Sequence, residues 1–438
     1  MKNSPKISNG VHFIGIGGIG VSALARYYLK KSHKITGSDL VSSEITQTLK
    51  KLGARIFIGK HKVRNLPKDV DLVVYSPAVT PTNPEFKEAK RKKIKTLSYP
   101  QALGELTKKH YTIAVSGTHG KSTTTCMVGL LLAKAGFDPT VIVGTKIKEF
   151  GGTNCRVGKS QYLVIEADEH MASFLNYWPK IIVLTTIEAD HLDYYKNFKN
   201  YISTFKKYIE HLSKDGVLVI NKDDKNIRQL TVNRKKKTKY YLLKQPEADK
   251  LKKVLKIPGE HNISNALAAL SVARILKIPD KVSFKALSKY KGCWRRFEIL
   301  KTKPFILISD YGHRPTEIKV TLKAAREKYP KRKIWCIFQP HQYQRTYYLF
   351  KDFVKVLSEA PVDKLIITDI YDVAGREEKE IKEKVNSKKI VKAINKPSVI
   401  YLPKDEIVDY LKKNLKGGEV LIIMGAGDIY RLNEKLKV

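Results

Sequence analysis

Residues 112–125 read TIAVSGTHGKSTTT. A short apolar strand, Thr112–Val115, runs into a glycine turn and then into residues suited to the start of a helix. Such a strand–loop–helix unit belongs to a doubly wound α/β domain, in which the loop after a parallel strand opens on a ligand. Gly117 and Gly120, with Thr118 beside them, let consecutive backbone N–H groups converge on phosphate oxygens at a helix N-terminus. Lys121 is placed to neutralise β- and γ-phosphates, and the Ser122 hydroxyl, followed by Thr123, to ligate Mg²⁺. The full Walker pattern has Gly where Val115 stands, so this is a variant phosphate loop.

Downstream, the strand Tyr162–Ile165 delivers Glu166 at the head of Glu166-Ala167-Asp168-Glu169. The next strand, Ile181–Ile187, delivers Glu188, Asp190 and His191. Either cluster alone reads equally well as a solvated strand end. Together, at successive strand ends after a phosphate loop, they predict a Mg²⁺ nest able to serve two ions. One accompanies ATP, and the other neutralises a carboxylate substrate.

Upstream, strand Val11–Ile14 leads into GIGGIG (residues 15–20), then helix Val21–Lys30 and a second strand, His33–Gly37, ending at Asp39. Gly15, Gly17, Gly18 and Gly20 form a GxGxxG turn with an acid nineteen residues beyond, the usual dinucleotide fingerprint. The same loop binds any diphosphate and the same acid any ribose, so a nucleotide-linked substrate, a dinucleotide and simple packing all remain open. A second nucleotide loop in one chain favours the first. A further strand, Asp71–Tyr75, precedes Ser76-Pro77-Ala78. A helix around Pro100–Lys108 then leads into the strand quoted at the outset, which places a boundary near residue 108.

Beyond the central unit, the charged stretch Lys222–Lys256 carries little pattern and reads as irregular connection. Pro258–Leu276 begins PGEHN and continues as a helix. From Gly292–Arg296 the pattern restarts, with strands Phe305–Ser309, Ile334–Phe338, Leu365–Thr368 and Val420–Met424, the last running into Gly425-Ala426-Gly427-Asp428. Three successive α/β units fit 438 residues.

The chain carries 83 Lys and Arg against 42 Asp and Glu, a formal charge of +41. That field favours anionic partners. The excess is spread as isolated lysines, and the densest runs, Arg91–Lys95 and Arg234–Lys239, are short and lack interleaved aromatics, so no specific nucleic-acid site is expected. Cys126, Cys155, Cys293 and Cys336 show neither metal spacing nor a disulfide framework, which fits a reducing cytoplasm. Val11–Leu29 after Lys2 and Lys6 has the outline of a signal peptide, but its central glycines and Arg26 argue against one, and no membrane insertion is expected.

In order, HFIGIGGIGVSALA (12–25), GSDL (37–40), SGTHGKSTTT (116–125), IEADE (165–169), TTIEADHLDYY (185–195), PGEHNISNALAAL (258–270), RRFE (295–298), DYGHRPTEI (310–318), FQPHQYQRT (338–346) and GAGDI (425–429) resemble the Mur ligase family of peptidoglycan synthesis. The likeness spans nearly the whole chain. It implies three α/β domains: a Rossmann-like UDP-binding domain (1–107), a P-loop ATPase-type centre (108–294) and a Rossmann-like C-terminal domain (295–438) that closes over them. By position, Gly15, Gly17, Gly18, Gly20, Asp39 and Ser76 would hold the UDP sugar. Gly117, Thr118, Gly120, Lys121, Ser122 and Thr123 would serve ATP. Ser122, Glu166 and His191 would ligate Mg²⁺. Asn262 and Asn265 would contact adenine, Arg296 the γ-phosphate and Asp310 the ATP ribose. Tyr311, His313, Arg314 and Arg345 would lie at the incoming amino acid.

The resemblance further implies joining of the lactyl carboxylate of UDP-N-acetylmuramate to L-alanine through an acyl phosphate, in a monomer or homodimer, with another amino acid or a recycled peptide as the alternative amine. The departures gather at the amino-acid end. EADESD of the alanine-adding members is EADEHM here, with His170 and Met171. HHP becomes His313-Arg314-Pro315, and PHRYTR places Gln342 where an arginine stands. A nicotinamide-dependent oxidoreductase would leave the GTHGKS loop without a task. A non-enzymatic binder would not need Lys121, Glu166 and His191 together.

Overall fold

The computed structural model describes residues 10–231, 237–373 and 379–436; Lys2, Lys6 and positions 234–236 of the second basic run lie outside the described residues. Among the described residues, eighteen strands form three sheets. In the first, β1 (Val11–Ile14), β2 (Ile35–Asp39), β3 (Arg55–Ile58), β4 (Leu72–Tyr75) and β5 (Lys95–Ser98) lie parallel in the order β3-β2-β1-β4-β5. Strand order reverses beside β1, where the turn Gly15–Gly20 leaves the sheet, the usual place for a ligand in such a sheet.

The second sheet comprises β6 (Tyr111–Ser116), β7 (Thr140–Ile147), β8 (Thr153–Arg156), β9 (Tyr162–Glu166), β10 (Ile181–Leu184), β11 (Val217–Asn221) and β12 (Lys237–Tyr241). Its order is β12-β11-β10-β6-β9-β7-β8, and only β8 runs antiparallel to its neighbour. β6 is central, so the loop after it is flanked by the exits of β9 and β10. The third sheet orders β13 (Glu298–Lys301), β14 (Ile306–Asp310), β15 (Ile334–Phe338), β16 (Lys364–Ile367), β17 (Val399–Tyr401) and β18 (Val420–Met424) as β13-β14-β18-β15-β16-β17, with β13 antiparallel.

Interior strands covered on both faces read as unbroken apolar runs: IIVL in β10 and VLIIM in β18 are buried throughout. β1 reads VHFI and is equally buried, with His12 the exception. Its Nδ1 lies 2.8 Å from Thr36 Oγ1 and its Nε2 2.8 Å from the fully buried Glu85 carboxylate. Ser38 (2.6 Å), Asn65 (2.9 Å) and His61 (2.9 Å) complete the shell around Glu85. Burial opposes the charge on Glu85, but hydrogen bonds from His12, Ser38 and Asn65 outweigh it and hold the carboxyl down at about 2.

The first two sheets share one apolar core running from Val11 to Leu230 and belong to one compact unit, residues 1–254 with 264–290. A buried polar joint adds to it: Asn154 Nδ2 in β8 donates to Ile19 O (2.6 Å) and to Ser22 Oγ (2.9 Å) at the start of helix Ile19–Lys30. The third sheet forms the second unit, 255–263 with 291–438, with apolar clusters on its two faces. Helix Glu260–Ile275 contributes its first residues to the second unit and the rest to the first.

The expectation of irregular connection over Lys222–Lys256 is corrected. Helix Lys225–Thr231, strand β12 and helix Glu247–Val254 occupy it, and β12 extends the central sheet. β12 is an edge strand reading KTKYY, buried only at Tyr241. A mostly exposed edge has no apolar alternation to betray it.

Candidate active site

Strand β6 ends at Ser116, and helix Lys121–Lys134 begins after Gly120. Gly117 (φ 132°) and Gly120 (φ 81°) both hold backbone that disfavours side chains. A Cβ on Gly117 would strike Thr185 and Thr186, and one on Gly120 the Asn265 carboxamide. Thr118 ties the loop to the exit of β10: its N–H donates to Thr186 O (2.8 Å) and its hydroxyl to Glu188 O (3.1 Å), with Tyr201 Oη 2.9 Å away. Asn265 Oδ1 accepts from Thr124 Oγ1 (3.2 Å), so the helix expected to reach adenine also braces the phosphate loop. Thr123 is buried beneath it.

Lys121 Nζ curls over the loop to Gly117 O (2.7 Å) and Thr118 O (3.3 Å). It also donates to both oxygens of the fully buried Glu169, at 2.8 and 3.0 Å, with Asp168 Oδ1 at 3.6 Å. Burial works against the ammonium, but Glu169 and Asp168 outweigh it and raise its pKa above the ordinary lysine value. Burial pushes the Glu169 carboxyl upward as well, and Lys121 opposes that rise. The site therefore presents a fixed cation at a helix N-terminus, the arrangement a polyphosphate requires.

The expected ligand trio divides into two groups. Ser122 Oγ donates to Glu166 Oε1 (2.8 Å), and Gly144 N–H fixes Glu166 Oε2 (2.8 Å). His191 instead joins Glu169 and Asp190, one donor atom of each lying within 4.8 Å of the others. Among the described residues Glu166 is not a member of that cluster. His191 N–H donates to Asp190 Oδ1 (2.6 Å). Burial lowers the His191 pKa to about 4, so the imidazole is neutral near pH 7 and can ligate a cation. Three convergent nitrogen and oxygen donors fit a divalent ion, and the hard oxygens of Ser122 and Glu166 fit Mg²⁺.

Gly15, Gly17, Gly18 and Gly20 form the turn between β1 and helix Ile19–Lys30. Gly17 N–H donates to Asp39 Oδ2 (2.8 Å), so the acid at the end of β2 braces the turn. Ser76, just past β4, packs against Gly15, whose φ is 76°. Tyr99 packs on Gly20 so closely that a Cβ there would lie 2.7 Å from its ring.

In the second unit, Asp310 at the end of β14 is buried. It accepts from Phe297 N–H and Gly312 N–H, both at 2.8 Å, and from Thr321 Oγ1 at 3.3 Å. The carboxylate expected at the ATP ribose is thus engaged in joining the RRFE segment to the loop after β14. Arg296 lies over the Tyr311 ring, 4.6 Å from its centre. Asn262, buried, donates to Pro258 O (2.6 Å).

The loops after β14 and β15 meet. The rings of His313 and Tyr311 are 5.3 Å apart, and those of His313 and His341 5.6 Å. Arg345 Nη1 donates to His341 O (3.2 Å). Burial lowers the His313 pKa to about 3. Glu317 takes the N–H groups of His313 (2.9 Å) and Arg314 (3.3 Å). Glu169 and Asp190 stood within quoted clusters, yet strand-end position alone does not reveal which acid of several faces the lysine. Arg295 carried no reading. It is buried, donates to Gly425 O and Gly427 O, and faces the rings of Tyr311 and Tyr430. The double arginine was the signal, but nothing in it ranks one above the other.

Three family models match the chain in order: the Mur ligase family catalytic domain over residues 10–111, the Mur ligase middle domain over 115–273 and the Mur ligase glutamate ligase domain over 295–427. The UDP-N-acetylmuramate–L-alanine ligase of Acetivibrio thermocellus is 41% identical, over 97% of this chain and 94% of its own length. That of Clostridium acetobutylicum is 41% identical over 98% and 97%. Among solved structures, the UDP-N-acetylmuramate–alanine ligase of Thermotoga maritima superposes with a TM-score of 0.79 at 28% identity, covering 98% and 99%. A murein peptide ligase from Psychrobacter arcticus, at 22% identity and a TM-score of 0.72 over 98% of each chain, shares the fold.

Proposed function

This chain belongs to the Mur ligase family, and from that premise we propose that it joins UDP-N-acetylmuramate to L-alanine at the expense of ATP. The observation that carries the chemistry is Lys121, held over the phosphate loop by Gly117 O and Glu169 and followed directly by the Ser122–Glu166 pair. Identity of 41% across nearly the full length of L-alanine ligases favours L-alanine over a peptide.

The glycine turn Gly15–Gly20, with Asp39 and Ser76, takes the UDP moiety. Gly117–Thr123 takes the triphosphate, Asn262 and Asn265 the adenine, Arg296 the γ-phosphate. Asp310 acts on ATP through the RRFE segment it braces. The lactyl carboxylate attacks the γ-phosphorus, the bond to the β–γ bridging oxygen breaks, and ADP leaves. Lys121 and Arg296 spread the charge carried by the transferring group. Ser122 and Glu166 would hold Mg²⁺, and His191 a second ion; the bound cations would supply charge neutralisation. The amine of L-alanine, oriented by Tyr311, His313, Arg314 and Arg345, then attacks the acyl carbon. The carbon–oxygen bond to phosphate breaks, the amine loses its proton, and the amide and inorganic phosphate leave. No described helix is long and apolar enough to cross a membrane. The nucleotide substrates and four buried cysteines, none in a disulfide, fit a cytoplasmic setting.

The test is isotope transfer. UDP-N-acetylmuramate carrying ¹⁸O in its lactyl carboxylate should deliver one labelled oxygen into the phosphate released. Unlabelled phosphate alongside amide product would overturn the acyl phosphate.

A further inference from the structure

Arg295 is buried in the second unit, and among the described residues its guanidinium forms no ion pair. Three aromatic rings surround it instead. The guanidinium carbon lies 4.5 Å from the centre of the Tyr430 ring, 4.8 Å from that of Tyr311 and 5.5 Å from that of Trp294. All three fall inside the roughly 6 Å over which a ring face attracts a cation. Nη2 donates to Gly425 O and Gly427 O, and Nε is buried without a partner. Burial lowers the pKa to about 10, so the group is still a cation near pH 7. Taking a guanidinium out of water without an acid is costly, and an apolar side chain would fill the space at less cost. Packing alone does not account for it.

Its partners do. Strand β18 lies between β14 and β15. The turn Gly425–Asp428 that leaves β18 therefore stands between the loop carrying Tyr311 and His313 and the loop carrying Gln339 and His341. Gln339 accepts from Ile429 N–H and donates to Asp428 Oδ1, both at 3.1 Å. A Cβ on Gly427 would strike Gln339 and Tyr371, and the Tyr371 ring stacks on His341 with centres 5.4 Å apart. Arg295 joins this turn to Tyr311, whose ring also carries Arg296 at 4.6 Å.

We propose that Arg295 is a positioning residue for the amine step: it holds Tyr311 against the Gly425–Gly427 turn and so sets the pocket that receives the amino acid, while Arg296 on the same ring serves phosphoryl transfer. The inference rests on the ligase reading above and divides the paired arginines between its two steps.

The test separates those steps in the full chain with R295K, which keeps the charge but exchanges a planar, weakly hydrated group for an ammonium that does not stack on rings. Phosphoryl transfer is read without amine, as scrambling of ¹⁸O from the β–γ bridge of ATP into the β-phosphate, dependent on Mg²⁺ and UDP-N-acetylmuramate. Scrambling should stay within about twofold of the parent, and the KM for L-alanine should rise roughly tenfold with the KM for ATP unchanged. A parent-like KM for L-alanine overturns the proposal. So does an equal loss in both steps, which marks a purely structural arginine. Y430L takes one ring from the cation without touching its hydrogen bonds and should give the same split at about threefold. It carries the test if R295K folds poorly, and a parent-like Y430L then overturns the proposal. Absence of scrambling in the parent overturns the ligase reading, and this inference with it. Scrambling in the parent with no split in either variant overturns this inference alone.

Discussion

Replacing Glu169 by Gln isolates what holds Lys121 in place. The side chain keeps its shape but loses its charge and one of two acceptors, which now meet Nζ at 2.8 and 3.0 Å. Its new NH₂ group cannot face an ammonium, so one charge-assisted hydrogen bond goes outright. Such bonds contribute about 1.5–3 kcal/mol, and breaking a buried pair costs about 3–5 kcal/mol. Two features reduce the cost here. Asp168, at 3.6 Å, is half-exposed and can take up part of the charge. Burial already opposes the charge on Glu169, so removing that charge recovers some desolvation. We expect E169Q to lose about 2 kcal/mol of stability, near the lower end. The catalytic loss should be larger, because Lys121 would leave the position proposed to meet the γ-phosphate, and about 10²–10³ in kcat is expected for a displaced transition-state donor. Guanidinium unfolding and phosphate release measure the two effects. An E169Q protein that matches the parent in both would refute the claim that this pair sets the lysine.

Three further outcomes follow from the geometry. Glu85 titrates at about 2 in the folded chain against an ordinary 4.5, so its stabilisation is full above about pH 4.5 and is lost as pH falls toward 2; in E85Q that part of the pH dependence of the unfolding midpoint should flatten. In G20A the new methyl meets the Tyr99 ring at 2.7 Å, and overpacking of about 1–3 kcal/mol should weaken UDP-N-acetylmuramate binding roughly tenfold by calorimetry, with recovery in G20A/Y99A. R295M leaves the carbonyls of Gly425 and Gly427 without their donor, which should cost about 2–4 kcal/mol in unfolding free energy, and an unaltered midpoint would deny Arg295 its place.

The central strands and their loops were legible because interior strands of a parallel sheet are apolar runs that end abruptly at glycine or acid. β1, β15 and β18 were read at their observed limits. The edges were not legible. β3, β5 and β12 carry lysine, arginine and threonine on faces only partly covered, and nothing periodic marks them. In the site, motif position located Lys121 and Ser122, since loop chemistry acts through neighbours in the chain. The partition of acids did not follow from sequence. Glu166 turns to Ser122 and Glu169 to Lys121 although they stand only three positions apart, and His170 meets His191 twenty-one positions along the chain. Such pairings depend on how β9 and β10 exit the sheet. Asp310 was placed correctly at a strand end, but its backbone partners come from Phe297 and Gly312, which only the fold brings together.

The most direct test of the central claim is phosphate release from ATP with Mg²⁺, UDP-N-acetylmuramate and a panel of L-amino acids and a tripeptide, run beside Lys121→Ala. Release should require both UDP-N-acetylmuramate and L-alanine and fall to background in Lys121→Ala. Release driven by the tripeptide or by another amino acid, or undiminished in Lys121→Ala, would contradict it.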